Sequence, residues 1–142
     1  MQPLARFINS GIPGVPRSIS PKTHRVLDFL TTGAFMVAGA FMWASNRRAA
    51  AAAFLNGAFV LGATLYTDYD GDGRKPISFE THGQLDVAQA GLAAAAPHLF
   101  GFSDEKKAWF CRGQAMNEGM VIAMTDFRAA ERPSSRIRDM AA

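Results

Sequence analysis

Residues 67–86 read TDYDGDGRKPISFETHGQLD and carry two different signals. The first part resembles half of a calcium loop, with Asp68, Asp70, Asp72 and Gly73 at EF-hand spacing. Such a loop needs a bidentate glutamate at its twelfth position. That position is Phe79, Glu80 comes one residue late, and Pro76 interrupts the loop. A surface turn is what Asp and Gly form in any case. The second part ends in THGQLD, and THRVLD stands at 23–28 with Thr, His, Leu and Asp in register. His24 and His82 are 58 residues apart, as are Asp28 and Asp86. The same offset pairs Ser20 with Ser78, Gly33 with Gly91, Ala38 with Ala96, and TDY (67–69) with TDF (125–127). The stretch therefore reads as the seam between two copies of one unit.

Each copy has the length and punctuation of a helical hairpin. Ser20-Pro21 is a helix start, with Ser as N-cap and Pro in the first turn. The pattern predicts helices over about 21–44 and 48–67, with the turn SNRR between them. A third begins near Glu80 and ends between Pro97 and Gly101. A fourth is expected to be capped by Ser103, Asp104 and Glu105 and to end near Phe127. No strand pattern competes. The expected fold is all-α, a four-helix up-down-up-down bundle of two tandem hairpin repeats, 20–69 and 78–127. Residues 1–19 read as an irregular arm, and 128–142 as a basic C-terminal tail.

Hydropathy indicates where such a bundle lives. Residues 29–46, 49–67 and 87–103 hold no Asp, Glu, Lys or Arg, and a bilayer-spanning helix needs about 20 mostly apolar residues. Residues 108–127 are apolar apart from Arg112, Glu118 and Asp126. Charge-free runs of this length lack the polar face that a soluble amphipathic helix presents. They favour a transmembrane bundle over a soluble Ala-rich one. The single Cys111 excludes an intrachain disulfide, and no apolar leader segment stands near the start.

The motifs THRVLD, LYTDYD, THGQLD, APHLFGFSD (96–104), Glu118 and MTDF (124–127) resemble the SPW-repeat family of small bacterial integral membrane proteins. The resemblance covers about residues 20–127. The name-giving Ser-Pro-Trp is Ala96-Pro97-His98 here, and Ala38-Gly39-Ala40 in the first copy. The resemblance implies a four-helix membrane protein and no particular activity.

In that topology both termini and the Asp/Gly loop share one end of the bundle. That end carries Arg6, Arg17, Lys22, Arg25, Arg74, Lys75, Arg128, Arg132, Arg136 and Arg138. Arg47, Arg48, Lys106, Lys107 and Arg112 lie toward the other. The basic excess predicts a bacterial inner-membrane protein with both termini cytoplasmic. The repeated polar residues His24, Asp28, Asp68, His82, Asp86 and Asp126 fall at the same end.

His and Asp one helical turn apart share a face. Their chemistry supports two readings. One is a divalent metal site, since imidazole with carboxylate suits zinc, iron or manganese. The other, favoured here, is a structural clasp within each copy, which satisfies polar groups that lipid would leave bare. Asn56, Asn117 and Glu118 are expected as further buried polar groups inside the helices. No nucleophile elbow, phosphate loop or Cys pair is present, and the helices carry no basic-aromatic surface for nucleic acid. The expected partners are the lipid bilayer and a membrane-protein partner or second copy. The expected role is a non-enzymatic scaffold or accessory subunit. The alternatives are a metal-dependent membrane enzyme, a small transporter, or a soluble bundle.

Overall fold

The computed structural model describes residues 13–131. Four helices carry the fold: α1 (Pro21–Trp43), α2 (Arg47–Tyr66), α3 (Phe79–Leu99) and α4 (Ala108–Met124). The described residues are all-α apart from two short parallel pairings at one end. There Thr67–Asp68 (β1) lies beside Ile77–Ser78 (β2), and Ile19 bridges Thr125. These pairings repeat at the same offset: Thr67 and Ile77 in one, Thr125 and Ile19 in the other. α1 packs on α2, α3 on α4, and α2 on α3.

The first three helices start where their caps dictate. Ser20 Oγ accepts the Thr23 amide, Asn46 Oδ1 the Ala49 amide, and Ser78 Oγ the Thr81 amide. The fourth differs from expectation. It begins at Ala108 rather than at 103–105, and its N-cap, Lys107, makes no side-chain hydrogen bond. Glu105 is committed elsewhere, to Asn46 Nδ2 at 2.6 Å and to Arg48 at 3.7 Å. It thus ties the two hairpin turns together instead of capping a helix. Pro97 lies inside α3, and Gly101, with φ of +68°, marks the turn beyond it.

Buried alanines let α2 sit deep in the bundle: Ala49, Ala50, Ala52 and Ala53 are all fully enclosed. Close approach also needs glycine at Gly39, where a Cβ would stand 2.7 Å from the Phe54 ring. Gly57 is similar, with Phe35 Cβ at 3.0 Å. Gly33 and Gly62, by contrast, face open space. The N-terminal arm up to residue 12 and the tail from 132 lie outside the described residues.

The Asp/Gly loop is a self-contained turn. Asp68 accepts the amides of Gly71, Asp72 and Gly73. Burial raises the Asp68 pKa, but the amides of Gly73, Asp72, Gly71 and Asp70 together outweigh it and leave the group below its ordinary value. Gly71 has φ of +69°, and a Cβ there would run into the Ala130 carbonyl. Gly73 has φ of +73° with nothing nearby. Gly73→Ala should therefore cost only the left-handed penalty of about 1–2 kcal/mol. Gly71→Ala should cost distinctly more, because residues 129–131 must also move. Chemical melts of the two variants in detergent check this, and equal costs would contradict the docking of residue 130 on the loop.

Candidate functional site

At the end where the short pairings lie, the starts of α1 and α3 face each other. His24 and Asp28 from α1 meet His82 and Asp86 from α3, and one donor atom from each lies within 4.8 Å of the others. The contacts alternate around a ring. His24 Nε2 is 3.0 Å from Asp86 Oδ2 and 3.3 Å from Asp28 Oδ1. His82 Nε2 is 3.1 Å from Asp28 Oδ2 and 3.3 Å from Asp86 Oδ1. The shorter contact of each imidazole crosses between the helices, and the longer stays within its own. The ring is therefore a joint between two hairpins, and not a pair of separate clasps.

The outer imidazole nitrogens are held by threonines. His24 Nδ1 is 2.9 Å from Thr125 Oγ1, and His82 Nδ1 is 2.9 Å from Thr67 Oγ1. Each hydroxyl has one proton, and each spends it on its own helix: Thr125 on the Val121 carbonyl at 2.6 Å, Thr67 on the Ala63 carbonyl at 2.7 Å. Both hydroxyls must then accept from the imidazoles. Nδ1 is the protonated nitrogen in each ring, and Nε2 is turned to the carboxylates.

Aromatic rings close the site. Phe79, Phe127 and the His82 imidazole pack edge-on around His24, with centroids 5.2–5.4 Å away. Tyr69 breaks the symmetry. Its hydroxyl donates to Asp28 Oδ2 at 2.6 Å and lies 3.3 Å from His82 Nε2. The residue at the same offset is Phe127, which has no hydroxyl to offer Asp86. Burial, followed by the Asp28 charge and the bond to it, raises the Tyr69 phenol above its ordinary pKa.

Asp68 and Asp126 were expected beside this cluster, and they stand apart from it. Asp68 serves its loop, and Asp126 Oδ1 accepts the Arg128 amide. The threonines immediately before them occupy the places foreseen for the acids. At a helix end in extended conformation, the Thr hydroxyl folds back on the preceding turn and meets the imidazole.

Deeper in the bundle, Asn56 and Glu118 are buried as expected, but Asn117 is exposed. Consecutive helical residues point about 100° apart, so only one of the pair can face inward. Asn56 donates to the Ala52 carbonyl and accepts from Gln89 Nε2 at 3.1 Å. Glu118 is 8% exposed; neither of its oxygens makes a well-formed hydrogen bond among the described residues, and the Gln89 amide lies beside it. It borders a cavity of about 20 Å³ shared with His24, Asp28, Asp86 and Gln89.

The repeated TDY and TDF motifs contained Thr67, Thr125 and Tyr69. Charge drew attention to the wrong member of each triplet. Gln89 carried no signal, because the residue at its offset is Thr31.

Comparison with known proteins finds no matching family model, no matching curated protein and no matching solved structure.

Proposed function

We propose that this chain is a small integral membrane protein made of two tandem helical hairpins. In this reading it is a scaffold or accessory subunit whose His/Asp ring joins the two copies. The observation that carries the membrane reading is an inside-out distribution of side chains. His24, His82, Asn56, Gln89 and Glu118 are buried, while Phe41, Leu30, Leu99, Trp109, Met116 and Met120 are each more than 60% exposed. Water favours the reverse arrangement, and lipid favours this one. α1 and α2 are long and apolar enough to cross a membrane, and only 33% of the apolar window of α1 is buried in the bundle. α3 is less apolar and α4, at 17 residues, is shorter; their polar residues include His82, Asp86, Gln89 and Glu118, which face the interior.

Paired contacts at a constant offset support the repeat: the Ser20 and Ser78 caps, the two threonine–imidazole bonds, and the two parallel pairings. The motif resemblance to the SPW-repeat proteins accords with this reading. Trp43 and Trp109 are exposed at the end opposite the ring, with Arg47 and Arg112 stacked on them, as at a membrane interface. The basic residues at the ring end favour a cytoplasmic location for both termini in a bacterial inner membrane. Membranes washed with alkaline carbonate should retain the chain. Recovery in the soluble fraction without detergent would overturn the membrane reading.

A metal-dependent enzyme or small transporter is the second reading. It is favoured specifically by Glu118, buried without a well-formed hydrogen bond at the cavity beside the ring.

A further inference from the structure

We propose that His24, Asp28, His82 and Asp86 form a binding site for one divalent transition-metal ion, of the zinc, manganese or iron class. The inference rests on the ring as the joint between the hairpins and goes beyond it.

The first argument is the donor set. Two imidazole nitrogens and two carboxylates are a common set for these ions. Ligands about 2.0–2.2 Å from a tetrahedral ion lie about 3.3–3.6 Å from each other. The four N–O separations around the ring are 3.0, 3.3, 3.1 and 3.3 Å. Each imidazole faces a different oxygen of each carboxylate, and one donor atom from each residue lies within 4.8 Å of the others. Shifts of roughly half an ångström per donor would bring four of them to tetrahedral spacing about one ion.

The second argument is proton placement. The threonine hydroxyls oblige both Nδ1 atoms to carry a hydrogen. A neutral imidazole then points a bare Nε2 lone pair at two carboxylates, which repel it. A ring without metal needs a proton between each Nε2 and a carboxylate, in a site closed by Phe79, Phe127 and Tyr69. Each such proton would also lie between one nitrogen and two carboxylates. A dication serves the two bare nitrogens and the two carboxylates together, and the centre is then neutral. The Thr–His arrangement is the outer support that orients metal-binding histidines.

The third argument is Glu118. Its carboxylate is buried, without a well-formed hydrogen bond, at a cavity that His24, Asp28 and Asp86 also line. The cavity, about 20 Å³, matches one water molecule. A water on the ion there would give Glu118 a donor in addition to the Gln89 amide beside it.

The test uses the full chain purified in detergent, stripped with a chelator and titrated separately with Zn2+ and Mn2+. We expect one ion per chain by elemental analysis and calorimetry, with a rise in melting temperature on binding. Asp86→Asn preserves the shape of the ring, and should weaken binding at least about tenfold. Thr125→Val keeps all four donors, and should weaken it by about 10–100-fold, as loss of an outer support does. Failure of both ions to bind stoichiometrically, or identical affinity in Asp86→Asn, would overturn the metal site. If His82→Ala still destabilises the fold in that case, the ring remains a purely protein joint and only the metal is lost. If His82→Ala also leaves the fold unchanged, the joint itself falls.

Discussion

His24→Ala and His82→Ala should each destabilise the protein by about 3–5 kcal/mol, because each removes one partner and leaves buried carboxylates uncompensated. His24 and His82 are 1% and 0% exposed, so water cannot take the place of the lost imidazole without entering the core. That loss is a large share of a domain's usual total of about 5–15 kcal/mol. Chemical melts of the detergent-solubilised variants would measure it. Replacing all four ring residues together with apolar side chains should cost less than either single change, since no charge is then left behind. Single variants within about 0.5 kcal/mol of the parent would contradict the ring as the joint of the fold. A fourfold variant costing more than the singles would mean that the ring supplies net stability as well as specificity.

The helices were legible in the sequence because their caps are local. Ser-Pro at 20–21, Asn46 and Ser78 each mark a start that depends on a few adjacent residues, and the observed starts fall within a residue of the expected ones. The start of α4 was not legible. The acids that resemble a cap are used in a contact 59 residues away, between Glu105 and Asn46. Convergence of the two His/Asp pairs was foreseeable, since equivalent helix starts in a duplicated hairpin meet across its axis. Which copy supplies each shorter contact was not foreseeable, because i and i+4 spacing is satisfied equally by a clasp within one helix. The choice of Thr67 over Asp68 turns on the position of the last helical residue, and a shift of one residue swings a side chain by about 100°. The same shift separates buried Glu118 from exposed Asn117. In helices with alanine and glycine on most faces, apolar periodicity is too weak to set that phase.

Tyr69 makes the two carboxylates unequal, and a second large effect follows. Asp28 accepts from Tyr69 at 2.6 Å and faces His82 at 3.1 Å and His24 at 3.3 Å. Asp86 faces only the two imidazoles, at 3.0 and 3.3 Å. Its side chain is also more open, 16% against 10%. Asp28→Ala should therefore cost about 3–5 kcal/mol, and should exceed the cost of Asp86→Ala. The excess should approach the worth of the phenol bond, about 1.5–3 kcal/mol for a hydrogen bond to a charged group. Tyr69→Phe recreates on the Asp28 side what Phe127 already provides on the other, and should remove most of that difference. In a double-mutant cycle, Tyr69→Phe should couple strongly to Asp28→Ala and weakly to Asp86→Ala. Equal costs for the two aspartates, or equal coupling of Tyr69 to both, would mean that the hydroxyl does not discriminate between them. The ring would then behave as a symmetric pair, despite the single tyrosine at its edge.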